Sequence, residues 1–132
     1  MMWGQHLIVD MSGCDRTAVT DKGTIHSFCN ELVEKIDMVP YGEPLIEHFA
    51  KHDPSVSGHT LVQLIETSNI TAHFVDSTGD IYLDVFSCKE FAEDRVLELC
   101  HDFFSPLTIH ASTLDRTAGQ PSSTTWSWPN QK

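Results

Sequence analysis

A serine, a histidine and a cysteine whose types and spacing suit self-cleavage lie in the second half of the chain. Thr67-Ser68-Asn69 is a predicted exposed turn between two strand-like runs, with His73 five residues after Ser68 and Cys88 twenty residues after it. A serine hydroxyl held against the preceding carbonyl can attack it and turn the Thr67–Ser68 amide into an ester. Removal of the serine α-proton then breaks that ester, and the resulting dehydroalanine hydrolyses to a pyruvoyl group. These residues therefore indicate a proenzyme that makes its own carbonyl cofactor from Ser68.

A pyruvoyl group is an electron sink, like pyridoxal phosphate. Its ketone forms a Schiff base with a substrate amine and accepts the electrons released when CO2 leaves. The substrate carbon must then be reprotonated, and a thiol or an imidazole has a pKa close enough to the working pH for that step. His73 and Cys88 supply these two groups.

Several segments, in order, resemble the prokaryotic type of S-adenosylmethionine decarboxylase proenzyme. The resemblance runs from about Trp3 to about Asp115 and is carried by GQHLIVDMSGCD at 4–15, VSG at 56–58, ETSNITAH at 66–73 and LDVFSC at 83–88. It implies that Ser68 is the pyruvoyl precursor, that His73 takes a proton during processing, and that Cys88 donates the proton in decarboxylation. It also implies that Ser57 assists processing, that the product serves spermidine synthesis, and that the enzyme is a homodimer.

Two features depart from that family. The family usually has glutamate, serine and histidine at the cleavage site, where this chain has Thr67-Ser68-Asn69, and about three extra residues separate Ser57 from Ser68. Cleavage uses the backbone carbonyl before the serine, so Thr67 does not block it. Because a carboxylate and an imidazole are missing from the predicted pocket, ornithine and arginine stay open as alternative substrates. An unprocessed, non-catalytic binding protein of the same fold is a further alternative.

The length and charge of the chain restrict the possible partners. With 132 residues the chain forms one domain, small enough for a second subunit to be needed to complete an active site. The formal net charge of −11 argues against a nucleic-acid partner, because phosphate contacts need clustered Lys and Arg. An acidic protein suits a cationic small molecule, and S-adenosylmethionine, ornithine and arginine all carry a positive charge.

No segment indicates export, a membrane span or a metal site. The first apolar run, Leu7 to Val9, is too short for a signal peptide, and nothing approaches the ~20 apolar residues of a membrane span. The cysteines form no CxxC pair, so we expect free thiols and a cytoplasmic protein. His48 and His52 have helical spacing and His59 follows, but the pattern there predicts a strand and a loop, so we predict no metal ligands.

The hydrophobic pattern predicts an α+β domain at 1–115, an antiparallel sheet with two helices packed on one face. Apolar residues that recur every three or four positions predict two helices, one that contains Ile25 to Ile36 and one that contains Phe91 to Phe103. Strand-like runs are Gln5–Met11, Leu45–Phe49, Thr60–Ile65, Thr71–Val75, Ile81–Phe86 and Leu107–Thr113. This layout should bring His73 and Cys88 close to Ser68.

The composition changes after Asp115. Residues 116–132 are rich in Ser, Thr and Pro and poor in aliphatic residues, which predicts a mobile tail. Trp126 and Trp128 suggest an alternative, in which this segment docks in extended form on a neighbouring subunit.

Overall fold

The computed structural model describes residues 2–120 and the backbone of residues 123–128. It contains an antiparallel sheet and three helices, which confirms the predicted α+β class. In chain order the elements are β1 (Gly4–Ser12), α1 (Arg16–Val19), α2 (Lys22–Lys35), β2 (Pro40–Phe49), β3 (Gly58–Ile65), β4 (Ser68–Val75), β5 (Ile81–Ser87), α3 (Glu93–Phe104), β6 (Thr108–Arg116) and β7 (Ser123–Trp128).

The strands are ordered β2-β3-β4-β5-β1-β6-β7, and each neighbouring pair is antiparallel. Strands β2 to β5 form a meander of consecutive hairpins. The runs Thr60–Ile65, Thr71–Val75 and Ile81–Phe86, with the turn residues between them, predict this meander for β3 to β5. Strand β1 lies between β5 and β6. Strand β4 is therefore an interior strand, and its register is fixed by hydrogen bonds on both sides.

One face of the sheet is covered by α2 and α3. Side chains alternate across a strand, so Ile70, Ala72 and Phe74 of β4 all lie on the buried face. Phe104 of α3 closes the core, because its ring centroid is 4.9 Å from that of Phe28 in α2 and 5.7 Å from that of Phe74. Edge-to-face and tilted ring pairs at these distances stabilise the core beyond the buried area alone.

The helix ends follow local sequence signals. The Asp21 carboxylate accepts a hydrogen bond from the Thr24 N–H at 2.9 Å and caps the start of α2. Glu93 and Asp94 begin α3, where the helix dipole favours negative charge. Helix α3 ends at Ser105 in the left-handed conformation, directly before Pro106, which is consistent with the predicted stop. The short helix α1 was not predicted.

Three sequence expectations need correction. Strand β2 is longer than predicted, because it begins at Pro40 and contains an irregularity between Tyr41 and Leu45. Ser68 is the first residue of β4 and not the middle of a turn, since the turn itself is Glu66-Thr67. The backbone of residues 123–128 forms β7 beside β6, so the expectation of a mobile tail is wrong for that segment.

The rest of the tail prediction stays a prediction. Residues 121–122 and 129–132 lie outside the described residues, as do the side chains of Trp126 and Trp128. The division into a domain at 1–115 and a tail at 116–132 therefore stays a prediction.

The opposite face of the sheet carries no helix in the described part of the chain. Leu45, Leu64 and Tyr82 project from this outer face and are about half exposed. His6 and Asp84 form a 3.0 Å contact on the same face. Among the described residues, no helix combines the length and the apolar character needed to cross a membrane.

Gly58 gives a test of how closely β3 and β4 pack. A Cβ at this position would lie 1.6 Å from the carbonyl oxygen of Phe74, so Gly58→Ala must push the two strands apart. We expect a loss of at least about 2 kcal/mol in the free energy of unfolding, measured by urea denaturation.

The matched control for that test is Gly23→Ala on the exposed surface of α2. An added Cβ there meets only the Asp21 carboxylate at an ordinary 3.5 Å. Alanine is the better helix former, so the control should be neutral or gain up to about 1 kcal/mol. Equal effects of the two substitutions would contradict the close packing at Gly58.

Candidate functional site

The predicted cleavage point lies at the end of the β3–β4 hairpin. Ser68 pairs with Ile65 across the hairpin and with Ser87 on the other side. Its backbone is nearly extended, with φ at 159°, and its side chain is half-buried. The Asn69 side-chain amide donates a hydrogen bond to the Ser68 hydroxyl oxygen at 3.2 Å. The serine is thus held in a defined position and remains reachable.

The carbonyl group that Ser68 would attack is already hydrogen-bonded. The backbone N–H of Cys88 donates to the Thr67 carbonyl oxygen at 3.0 Å. A donor in this position polarises the carbonyl and stabilises the negative charge that develops on the oxygen during attack. The structure therefore places Cys88 beside the Thr67–Ser68 bond, as the sequence predicted. We call Thr67, Ser68 and Cys88 the cleavage half-site.

Thr67 is fixed through its side chain as well. Ser87, which is fully buried, donates a hydrogen bond to the Thr67 hydroxyl at 2.8 Å, and that hydroxyl in turn contacts the sulfur of Met38 at 3.2 Å. The Ser87 hydroxyl oxygen also accepts from the Lys89 N–H at 3.0 Å. These bonds hold the side chain of Thr67, so the residue before the serine is not free to turn away.

The segment after Cys88 is tied to the sheet. Phe91 donates its N–H to the Gln5 side-chain oxygen at 3.2 Å, and the Gln5 amide donates to Glu93 at 2.8 Å. Thr113 of β6 donates to the same Glu93 carboxylate. Gln5 and Thr113 are both buried. This network connects the start of α3 to β1 and β6, and it fixes the path of the chain that carries Cys88.

Cys88 differs from the other cysteines in exposure. All four thiols are free, but only Cys88 is exposed. Burial raises the pKa of the Cys14 thiol and the pKa of the Cys29 thiol to about 12. Burial also raises the pKa of Cys100 well above its usual range. The three buried thiols therefore stay protonated core residues, which leaves Cys88 as the cysteine able to meet a substrate.

One cavity adjoins the cleavage half-site, and a second cavity shares Trp3 with it. The first, of about 410 Å³, is lined by Cys88, Trp3 and Glu90, with Met2, Gly4, Gln5 and Ser87. The other, of about 640 Å³, is lined by Trp3, Phe86 and Arg116, with Thr117, Ala118 and Gln120. Both volumes fall in the range of small-molecule sites. Trp3 belongs to both cavities, and its ring centroid lies 6.1 Å from that of Phe86.

The sequence offers Trp3, Phe74 and Phe86 as aromatic residues that could hold a substrate by stacking and cation–π contact, and the structure separates them. Trp3 is 60% exposed and, with Phe86, borders a cavity. Phe74 is 0% exposed and packs on Phe104, so the expectation that it could hold a substrate is wrong. Its alternation with Ile70 and Ala72 was the signal that it belonged to the core.

His73 lies far from Ser68 in the same protomer. The two residues are five positions apart on one strand, which corresponds to about 16 Å. Strand alternation also puts His73 on the outer face, paired with Thr60 and Tyr82. The expectation that His73 would converge on Ser68 within one chain is therefore wrong.

Both ring nitrogens of His73 have partners. Nε2 lies 2.9 Å from the Val56 carbonyl oxygen, which can only accept, so this nitrogen carries a proton. Nδ1 lies 3.0 Å from the Thr60 hydroxyl and therefore accepts from it in the neutral ring. The resulting hydroxyl–imidazole pair can take up a proton. We call Thr60, His73 and the Val56 carbonyl the histidine half-site.

Thr60 is a candidate that the sequence reasoning missed. Ser57, the residue predicted to assist processing, lies in the loop before β3, where its carbonyl accepts from the Asp76 N–H at 2.9 Å. Thr60, rather than Ser57, bonds the His73 ring. Its position directly across the hairpin from His73 is the signal that could have identified it, once the Glu66-Thr67 turn is known.

Comparison with known proteins agrees with this geometry. Residues 5–117 match the profile of the S-adenosylmethionine decarboxylase family. Proteins named S-adenosylmethionine decarboxylase proenzyme are similar to the chain: the one from Archaeoglobus fulgidus is 25% identical over 88% of this chain and 99% of its own length. That from Pyrococcus horikoshii is 29% identical over 86% of this chain and 78% of its own length.

The fold also matches a solved structure. The crystal structure of the adenosylmethionine decarboxylase from Aquifex aeolicus VF5 superimposes with a TM-score of 0.75. The match covers 92% of this chain and 97% of the other, at 20% sequence identity. At that identity the likeness concerns the fold, and it agrees with the antiparallel sheet and its helices described above.

Proposed function

The chain belongs to the S-adenosylmethionine decarboxylase family, and on that basis we propose that it is a self-processing, pyruvoyl-dependent decarboxylase of S-adenosylmethionine. The product would be the aminopropyl donor for spermidine synthesis. The observation that carries the proposal is the hydrogen bond from the Cys88 N–H to the Thr67 carbonyl oxygen, because it joins the proposed proton donor to the proposed cleavage point.

In the proposed cleavage, the Ser68 hydroxyl oxygen attacks the Thr67 carbonyl carbon while the Cys88 N–H stabilises the developing oxyanion. The C–N bond breaks, the hydroxyl proton passes to the Ser68 nitrogen, which stays on Ser68 as a free α-amine, and Thr67 becomes linked to the Ser68 side-chain oxygen by an ester. Loss of the Ser68 α-proton to a base then expels the Thr67 carboxylate, and hydrolysis of the dehydroalanine releases ammonia. The new N-terminus of the second chain would be the pyruvoyl group.

The residues around Ser68 fit a pyruvoyl group. When formed, it would supply an electrophilic carbonyl that binds the substrate amine and takes up the electrons released with CO2. The exposed thiol of Cys88, whose backbone N–H bonds the Thr67 carbonyl, would then deliver a proton to the substrate carbon. The four free thiols suit a reducing compartment, and we place the enzyme in the cytoplasm.

The cavity beside Cys88 suits a cation with an aromatic base. The exposed ring of Trp3 offers a face for stacking and for cation–π contact with a sulfonium, and the Glu90 carboxylate lines the same cavity. The face of Phe86 is already occupied by the Arg116 guanidinium, which lies 5.1 Å from the ring centroid. Thr67 places an uncharged hydroxyl, bonded to Ser87, where the family usually has a carboxylate. Because this carboxylate is missing, ornithine and arginine are kept as the second candidate substrates.

We further propose that two protomers complete each site. His73 is about 16 Å from Ser68 along β4, too far for proton transfer within one chain, while the outer face that carries His73 is uncovered in the described residues. Packing this face on a second copy would bury Leu45, Leu64 and Tyr82. It would also bring the histidine half-site of one protomer to the cleavage half-site of the other.

Self-cleavage is the first outcome to test. Wild-type protein should separate on a denaturing gel into chains 1–67 and 68–132, which have nearly equal mass. Ser68→Ala should remain intact, since the attacking hydroxyl is gone. Intact mass spectrometry checks both results, and wild-type protein that stays at full mass after prolonged incubation would refute the proposal.

Substitution of Cys88 and substitution of His73 should block different steps of the reaction. Cys88→Ala keeps the backbone N–H on the Thr67 carbonyl, so it should still cleave but lose about 100-fold or more in CO2 release. His73→Ala should stall before cleavage and accumulate ester that hydroxylamine can split. The assay uses S-adenosylmethionine, ornithine and arginine in parallel. Wild-type turnover by Cys88→Ala would show that another group donates the proton.

Mixed dimers test whether the site is shared between protomers. Ser68→Ala and His73→Ala chains carrying different tags are co-expressed, and dimers with both tags are isolated. The His73→Ala chain should be cleaved in these dimers and not in its own homodimers, because only the partner supplies the imidazole. Absence of cleavage in the mixed dimers, with efficient cleavage in wild-type dimers carrying the same tags, would show that each chain processes itself.

A further inference from the structure

A second cluster of polar side chains lies at the other end of the β3–β4 hairpin from the cleavage half-site. His48 of β2 and His59 of β3 are directly paired across the two strands, and Asp76 follows the end of β4. One potential ligand atom from each of the three residues lies within 4.8 Å of the others. His48 Nε2 is 2.6 Å from an Asp76 carboxylate oxygen, and the two imidazole rings meet edge to face at 4.8 Å between centroids.

Hydrogen bonds within the described residues leave this cluster incomplete. His48 Nδ1, His59 Nδ1 and the second carboxylate oxygen of Asp76 are buried and have no hydrogen-bond partner in that part of the chain. A buried polar group without a hydrogen-bond partner destabilises the folded state. A simple ion pair between His48 and Asp76 leaves His59 Nδ1 and the second Asp76 oxygen without a partner. Two imidazoles and a carboxylate are, however, a common donor set for metal ions.

We propose that His48, His59 and Asp76 form a binding site for a divalent transition-metal ion, with Zn²⁺ as the expected occupant. Two nitrogens and one oxygen suit Zn²⁺ and its neighbours in the first row, whereas Mg²⁺ and Ca²⁺ prefer all-oxygen sites. Three protein ligands leave a fourth tetrahedral position for water. This assignment departs from the sequence prediction of no metal ligands.

The three ligand atoms, which lie within 4.8 Å of one another, must rearrange to hold the ion. Ligand atoms about 2.0–2.1 Å from a tetrahedral Zn²⁺ lie about 3.3 Å apart, so the 2.6 Å contact between His48 and Asp76 must open slightly. Rotation of the carboxylate does this and brings its unpaired oxygen into use. The side chains of His48 and Asp76 remain 26% and 29% exposed, which gives an ion a route from solvent.

A bound ion would stabilise the loop before β3 as well as the strands. The Asp76 N–H donates to the Ser57 carbonyl at 2.9 Å, and the Ser77 hydroxyl donates to the Pro54 carbonyl at the same distance. This loop carries the Val56 carbonyl that bonds His73. We therefore expect the ion to raise the midpoint of thermal unfolding, whether or not the protein is an enzyme.

Titration of metal-free, full-length protein with Co²⁺ tests the site directly. Co²⁺ replaces Zn²⁺ in tetrahedral sites and gives visible d–d absorption. We expect one equivalent to bind, Zn²⁺ to displace it, and either ion to raise the melting temperature. Absence of both the absorption and the thermal shift would overturn the proposal, and so would Mg²⁺ displacing Co²⁺ at equal concentration.

Three variants locate the ligands. His59→Gln and Asp76→Asn should each weaken Co²⁺ binding at least tenfold. Asp76→Asn is nearly isosteric and keeps a partner for His48, so it reports on binding if His59→Gln fails to fold, as judged by far-UV circular dichroism. The control is His52→Gln, an exposed histidine near the cluster. Unchanged binding in Asp76→Asn, or an equal loss in His52→Gln, would show that the ion binds elsewhere.

Discussion

The register of β4 between β3 and β5 is the constraint on which the rest of the structure depends. Antiparallel pairing sets Ser68 opposite Ser87, and so places the next residue, Cys88, with its N–H on the Thr67 carbonyl. Phe74 locks this register, because it is packed against Phe104 beneath the sheet. A shift of one residue would turn Phe74 outward and move the donor off the carbonyl. Burial of an apolar side chain at one end of the strand thus maintains the hydrogen bond between Cys88 and Thr67 at the other end.

The same strand separates the two halves of the proposed machinery. Ser68 begins β4, while His73 lies near its end on the outer face. A strand is too stiff and too extended for these residues to meet, so the proposed dimer makes cleavage depend on assembly. In that arrangement the outer face is both the association surface and the source of the imidazole. An uncovered sheet face, which would be a liability in a monomer, is then a functional requirement.

The proposed metal site lies close to the histidine half-site, and the loop before β3 connects them. Asp76 bonds the Ser57 carbonyl, and the neighbouring Val56 carbonyl bonds His73. An ion on Asp76 would therefore reduce the motion of the loop that orients the imidazole. The Thr60 hydroxyl holds the other ring nitrogen. With both nitrogens bonded, the orientation of His73 is determined by backbone and strand pairing rather than by its own rotamer preferences.

Local pattern in the sequence determined the α+β class, the two long helices and the meander of β3 to β5. Residue types and the resemblance to a known family identified Ser68, His73 and Cys88 as candidates. Helical periodicity, strand alternation and capping are short-range properties, so they can be read from a window of residues. The tertiary structure decided which candidates meet. The hydrogen bond from Cys88 to Thr67, the pairing of Thr60 with His73, and the approach of Asp76 to His48 each join residues that are distant in sequence. These contacts depend on strand register and on the turns that fix it, and register is a cooperative outcome of burying one whole face of the sheet.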